Sequence, residues 1–522
     1  MLKSWKYICT GVLAGLLSSA SAQAEEVTLK TIDGTLTLTG DLLDFDGRVY
    51  KIQTLIGSLE IDVASVTCEG SGCPAVEEKT EFAIAVGDGV NNALLANLLE
   101  EYAFQEEMTA EQRVSGSTGG TSALEMMDDS DEVKVSVSVQ QSDTQSALTK
   151  LIDGSAAIAL TTRPVAGEEI SAFTRAGFAD PSLPGQETVI ALDALVPIVA
   201  PGNRTRAISL EELALIASGQ IQNWAQLGGQ NAPIRMILPR EESSTFETFN
   251  RLVIDANRAR VNGNIERADS EETLADEVAR DPNAIGVVSL SARRNAEVVP
   301  IRRVCGPLAK ATPFAVKAEE YPLTRRVFMY VSGAPVASRI TDLIAFAGSG
   351  AAQDAIQGVG FIDQGIMAYD IDNQGIRLAA GLLAAPTPAA LQQMRDLSLS
   401  LVDSQRLSTT FRFTTGSSRL DNKALGDVDR MVEFLNSEEV ADKEVLVIGF
   451  TDSIGREDLN ILLGQSRAEQ VRESLITASG GTLTGDRIVA QSFGPLAPIG
   501  CNETAEGRTI NRRVEIWIRD RV

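Results

Sequence analysis

A multidomain protein of mixed α/β and α+β class is predicted by three features of the sequence. The 522 residues exceed what one hydrophobic core ordinarily serves and favour about three domains. Residues 27–67 alternate apolar and polar side chains in short runs, the period of half-buried strands. From about Glu81 onward, apolar strand-like runs alternate with helical stretches, the pattern of a parallel sheet flanked by helices. A hydrophobic share of 44% supports folded cores rather than disorder.

Composition excludes several chemistries. There is no histidine, so neither a Ser-His-Asp nor a Cys-His nucleophile pair exists, and no His-ligated zinc site. The 71 Asp and Glu against 46 Lys and Arg, a formal charge of -25, argue against tracking a phosphate backbone, which needs clustered cations. Nucleic acid is therefore not an expected partner.

Residues 1–24 carry Lys3 and Lys6, an apolar run from Tyr7 to Leu17, and small residues ending in Ala22-Gln23-Ala24, the layout of a cleaved secretory signal peptide. Cys9 lies inside the apolar run, a poor context for lipid attachment. No later stretch reaches the roughly 18 apolar residues that cross a bilayer. An exported protein that does not span the membrane is expected.

Residues 25–79 read as a small β-rich module of about four strands, with turns at Asp33-Gly34 and Asp46-Gly47. Its thin core is helped by a disulfide between Cys68 and Cys73, whose short Glu-Gly-Ser-Gly loop brings the sulfurs together under oxidising conditions. The rival reading, half a zinc site, lacks a second cysteine pair, and no metal is expected. Whether Cys305 and Cys501 pair is left open. Residues 80–370 form the α/β domain. Residues 371–407, rich in Ala, Leu and Gln around Pro386-Thr-Pro388, read as a linker running into a helix, and residues 408–522 as a β/α domain opening on the strand Thr410-Phe-Arg-Phe413.

In the middle domain, Pro239-Arg-Glu-Glu-Ser-Ser-Thr-Phe-Glu-Thr-Phe249 follows the apolar run Ile234 to Leu238 and precedes a helix. Hydroxyls and unpaired N–H groups at such a turn suit an oxyanion, although a Ser or Thr here also serves as a plain helix cap. The surrounding segments carry more weight. Leu192 to Asn203, Ile208-Ser-Leu-Glu-Glu-Leu to Asn223-Trp224 with Gly228-Gly229, Asp281-Pro-Asn-Ala-Ile-Gly-Val-Val288 and Tyr321-Pro-Leu-Thr-Arg325 resemble the PstS-like phosphate-binding class of periplasmic solute-binding proteins over roughly residues 80–365. The resemblance implies a type II periplasmic-binding-protein domain, two α/β lobes closing over an oxyanion. It assigns Arg240, Ser243, Ser244 and Thr245 to one lobe, and Thr161, Thr162 and Arg163 to the other, the structural alternative for Arg163 being an ion pair. At the first strand end, Gly87-Asp88-Gly89-Val90-Asn91 departs from the family's Gly-Ser-Thr-like donors. Ionised Asp88 accepts and does not donate, so it either selects a protonated oxyanion or marks a cleft that no longer binds phosphate.

In the last domain, Val445 to Phe450 is a strand, Thr451-Asp-Ser-Ile-Gly455 a turn, and the following helix carries Leu459, Leu463, Val471 and Leu475 on one stripe. A helix running back past the strand end lets Asp452 and Arg467 converge on one small zwitterion, although such a pair is more often a structural salt bridge. Phe411-Arg-Phe-Thr-Thr-Gly-Ser-Ser418, Gly449 to Gly455, Asn460, Leu463-Gly-Gln-Ser-Arg-Ala468 and Asn511-Arg-Arg-Val-Glu-Ile516 resemble the OmpA-like peptidoglycan-binding domain in order and spacing. That family implies that Asp452 holds the ammonium of diaminopimelate and Arg467 its carboxylate, with Thr451 and Asn460 shaping the loop and Arg512 and Arg513 bracing the fold.

These readings together describe a non-enzymatic periplasmic protein, associated with the cell wall and outer membrane. It needs no cofactor, binds phosphate or another small oxyanion, and is anchored to peptidoglycan. An ABC permease or envelope proteins are its further partners. The alternative is a scaffold whose cleft has lost its anion. An enzyme built on Ser243 or Ser244 has no base partner.

Overall fold

The computed structural model describes residues 26–31, 35–45, 49–70, 72–73, 79–114, 121–305, 307–385, 387–413 and 419–521. The expected signal peptide and turns at Asp33-Gly34 and Asp46-Gly47, together with Pro386 and Thr414 to Ser418, lie outside them. The described chain divides into two compact units at Lys79/Thr80.

The first unit is a five-stranded antiparallel sheet of β1 (Glu26–Thr31), β2 (Thr37–Phe45), β3 (Val49–Thr54), β4 (Gly57–Asp62) and β5 (Val66–Glu69), in the order β4-β3-β2-β1-β5. One strand more than expected is present, because β5 is only four residues long and gains its register from β1. Val27, Leu29, Tyr50, Ile52 and Val66 make the core, and the Cys68–Cys73 disulfide packs against it.

The second unit holds the remaining domains. Its first sheet contains eleven strands among the described residues: β6 (Thr80–Gly87), β7 (Thr109–Val114), β8 (Thr121–Met127), β9 (Val133–Ser142), β10 (Ile158–Thr161), β11 (Glu187–Val199), β12 (Arg235–Pro239), β13 (Glu266–Ala268), β14 (Ala284–Ser289), β15 (Glu297–Val298) and β16 (Thr324–Tyr330). β6 pairs in parallel with β9 and β10, and β12 with β13 and β14, giving one parallel core per lobe. The sheet is mixed rather than purely parallel. The 13-residue β11 pairs antiparallel with β16 in its first half and with β14 in its second, so it threads both lobes. Trp224 is buried, donates Nε1–H to the Asn283 carbonyl at 3.1 Å and packs on Gly229, so the Asn-Trp and Gly-Gly segments build the second lobe rather than line its cleft.

The last sheet, in the order β17-β18-β21-β19-β20, is built from β17 (Ala368–Asp370), β18 (Gln405–Arg412), β19 (Glu444–Phe450), β20 (Ile488–Gly494) and β21 (Arg513–Arg519). Residues 371–407, expected to run into a helix, contain two, Gly375–Ala384 and Pro388–Ser400, and these cover one sheet face, with Met394 and Leu397 packed on Leu446, Ile448 and Trp517. The cause is β19, buried throughout Val445 to Phe450, since a strand apolar on both faces must be covered on both. The stripe of the helix Glu457–Ala478 also differs. Its buried positions are Asn460, Gly464, Arg467, Ala468, Val471 and Leu475, while Leu459 is 55% exposed. Gly449 and Gly464 press backbone to backbone, and that close approach turns the small residues, not Leu459 and Leu463, toward the sheet.

Candidate functional sites

The two lobes meet where strands end, the usual place for a ligand in α/β sheets. Asp88 follows β6 and Thr162 follows β10. Ser244 and Thr245 open the helix after β12, and Glu271 opens the helix Glu271–Arg280 after β13. Beside them lies a cavity of about 200 Å³, lined by Asp88, Arg240, Ser243, Glu271, Ser289 and their neighbours.

Inside the cleft the donors already have acceptors. Ser244 donates its N–H to Asp88 Oδ2, and its hydroxyl to the Asp88 carbonyl at 2.6 Å. Thr162 donates to Ser244 Oγ at 2.9 Å. Thr245 donates to Glu271 Oε1, whose other oxygen accepts the Ser289 N–H. Arg325 and Asp193, on the crossing strands, complete the cluster: Arg325 donates Nε–H to Asp193 at 2.7 Å and Nη1–H to Thr245 at 2.9 Å, and Ser289 donates to Asp193 at 2.8 Å. Burial raises the pKa of Asp88 and outweighs the Ser244 N–H and the Arg325 charge, with Asp143 pushing the same way as burial. Burial likewise raises Glu271 against the pull of Arg325.

The structure brings together Asp88, Thr162, Ser244 and Thr245 and sets the other candidates apart. Thr161 is buried but bonds the Arg163 carbonyl of its own turn at 2.8 Å. Ser243 caps its helix, accepting the Phe246 N–H at 3.0 Å. Arg240 is exposed at the rim. Arg163 does not offer its guanidinium to the cleft. It makes a forked pair with Glu169 at 2.6 and 2.8 Å and reaches Glu247 at 3.0 Å, since two carboxylates of neighbouring elements outcompete a solvent-filled space. Asp193, Glu271 and Arg325 escaped the sequence reading. Arg325 closes the Tyr-Pro-Leu-Thr-Arg segment noted above, but its direction depends on strand alternation across a hinge.

In the last domain, Asp452 sits on the turn after β19. Its Oδ1 accepts the Ile454 N–H at 3.0 Å, and its Oδ2 pairs with Arg512 Nη1 at 2.9 Å. Arg512 therefore belongs to this site, where the sequence suggested only a brace. Arg467 is fully buried, its guanidinium 5.0 Å from the centre of the Phe413 ring. Burial and the Arg512 charge lower its pKa to about 10 while Asp452 raises it, so the arginine stays charged and feels the aspartate. Asn460 donates to the Ile454 carbonyl at 3.1 Å and fixes the turn. Thr451 is buried under the same turn, its N–H donated to the Gly494 carbonyl at 2.8 Å. Asn511 binds the Ile499 and Gly500 N–H groups at 2.8 and 3.0 Å, holding a second loop beside the first. Arg513 is the brace, paired with Glu515 at 2.7 Å. Cys501, in that second loop, is bonded to Cys305 of the binding lobe.

Residues 105–352 match the model of the PBP superfamily domain, and residues 412–512 that of the OmpA family. The chain thus fuses a PBP-like domain to an OmpA-family domain. It is 50% identical over 74 residues to the probable lipoprotein YiaD of Escherichia coli, covering 14% of this chain and 32% of that protein. It is 24% identical over 212 residues to the phosphate-binding protein PstS of Borreliella burgdorferi, covering 39% of this chain and 71% of that protein. It is 41% identical over 77 residues to the peptidoglycan-binding protein ArfA of Mycobacterium bovis, covering 15% of this chain and 23% of that protein. The chain therefore spans about a third of the length of the E. coli lipoprotein and less of ArfA. No helix among the described residues is long and apolar enough to cross a membrane.

Proposed function

We propose that this is a non-enzymatic protein of the bacterial periplasm, held to peptidoglycan by its last domain and offering a two-lobed cleft to a small oxyanion, phosphate first. The supporting observation is that Asp452, on the turn after β19, and Arg467, on the helix that follows, are opposite charges within each other's field. Diaminopimelate carries an ammonium and a carboxylate and complements both. Its ammonium takes the place of Arg512 on Asp452, and its carboxylate reaches Arg467 once the groups over that side chain move aside. An ABC permease or another envelope protein is the partner such an anchored binding domain would serve. Sedimentation with purified sacculi tests the anchoring: Asp452→Ala or Arg467→Ala is expected to lose most of the bound fraction. Undiminished binding by both variants overturns it.

A second reading, a scaffold whose cleft has lost its anion, is favoured by one observation, the Ser244 N–H donated to Asp88. Titration calorimetry of the full chain with phosphate and with sulfate separates the two, since absence of heat with both anions favours the scaffold.

A further inference from the structure

Two hydrogen-bonding positions are left over in the closed cleft. Arg325 is 5% exposed and uses Nε on Asp193 and Nη1 on Thr245, while its Nη2 has no partner among the described residues. Asp88 gives Oδ2 to Ser244, while its buried Oδ1 likewise has none. A buried donor or acceptor left unmatched costs free energy, and more so when charged. A planar carboxylate tied to the chain has only two oxygens and does not reach both the Ser244 N–H and Arg325 Nη2. A free tetrahedral oxyanion presents four. Gly89 keeps the backbone beside Asp88 close to the same groups: a Cβ added there would overlap Ser244 Oγ and lie 3.0 Å from Thr162 Oγ1 and 3.3 Å from Arg325 Nη1, so no side chain fits at this position.

We propose that Asp88 is a built-in substitute for the ligand: its carboxylate closes the cleft when no anion is present, and an incoming tetrahedral oxyanion displaces it, accepting from Ser244, Thr162 and Arg325 Nη2. The inference rests on the oxyanion reading of this cleft. Gly89, at φ +85°, and Gly87 flank Asp88 and let the turn move without a side-chain penalty. The charges acting on Asp88 are Arg325 from β16 and Asp143 from the cap of the helix Thr144–Ile152; Asp193 from β11 and Glu271 from the second lobe act on the same Arg325, and Arg240 lies at the rim. With Asp88, Asp193 and Glu271 around one buried guanidinium, the cleft favours an oxyanion of single charge, and departure of Asp88 removes one of the three repelling groups.

Titration calorimetry of the full chain with inorganic phosphate tests the exchange. Asp88→Ser is expected to bind phosphate at least about tenfold more tightly than the native protein at neutral pH, and Asp88→Asn, which keeps the shape without the charge, to shift the same way. Adding Arg325→Lys to Asp88→Ser is expected to reverse the gain, with a melting curve confirming that the double variant is folded. Native binding that neither Asp88 variant tightens overturns the exchange and leaves the oxyanion reading standing. Absence of phosphate and sulfate binding in the native and both folded Asp88 variants overturns both.

Discussion

Glu271 shows how a cleft lined with acids is held. Its carboxylate lies between the Thr245 hydroxyl and the Ser289 N–H, yet burial dominates and keeps its pKa above the ordinary value, with Asp193 adding to the shift. The folded state therefore takes up this proton more readily than the unfolded chain. The stabilising contribution is full below the unfolded pKa of about 4.3 and is lost as pH rises through the raised folded value. Glu271→Gln keeps an acceptor for Ser289 and removes the charge, so its melting temperature is expected to rise relative to the native protein between about pH 4 and pH 8. A difference that stays flat across that range would contradict the assignment.

The helix Glu457–Ala478 buries Asn460, Gly464 and Arg467 along its first half because two glycines let it lie directly on β19. A Cβ on Gly449 would overlap the Gly464 carbonyl, and one on Gly464 would overlap Ser492 Oγ. Gly449→Ala meets rigid backbone, so it is expected to lose at least about 3 kcal/mol in urea unfolding, the upper end for overpacking. Because Arg467 rides on the same helix, sacculus binding should fall with it. A variant of native stability would show that the strand and helix do not pack as described. The exposed Leu459 follows from the same contact, and leucines alone therefore misidentify the inward face.

Across the second unit, the OmpA-family domain lies against the strands that join the two lobes. Successive residues of β16 point oppositely: Arg325 turns to Asp193 and Thr245, while Arg326 pairs with Glu319 at 2.6 Å and with Asp421 at 2.8 Å. Asn422 bonds the Ser182 carbonyl at 2.7 Å and Glu187 at 3.0 Å, and Arg303 bonds the Ile499 carbonyl at 3.0 Å, so elements of both lobes are held. Beneath them Glu515 is fully buried. Burial opposes its charge, but Arg377, Arg406 and Arg513 hold its pKa well below the carboxylate range. Removing one partner would strand the others, which makes this interface costly to open. The Cys305–Cys501 disulfide spans 196 residues of sequence across it. Cys305→Ser with Cys501→Ser is expected to lower stability by about 2–5 kcal/mol and to split one melting transition toward two. A single unshifted transition would mean that the ion pairs alone hold the domains.

Local pattern carried much of this protein. Alternation marked the small β module and the strand-helix rhythm marked the lobes, because periodicity and turn chemistry are properties of neighbouring residues, while Asp452, Arg467, Ser244 and Thr245 were singled out by resemblance to family motifs. Contacts distant in sequence stayed hidden. The pairing of Cys305 with Cys501, the use of residues 371–407 as the second cover of a sheet, and the meeting of Asp88, Glu271 and Arg325 each join segments that only the packed chain brings within a few ångströms. Arg163 and Arg512 exchanged their expected roles for the same reason: a charged side chain goes to the nearest buried or bidentate partner, and tertiary structure alone determines which partner that is.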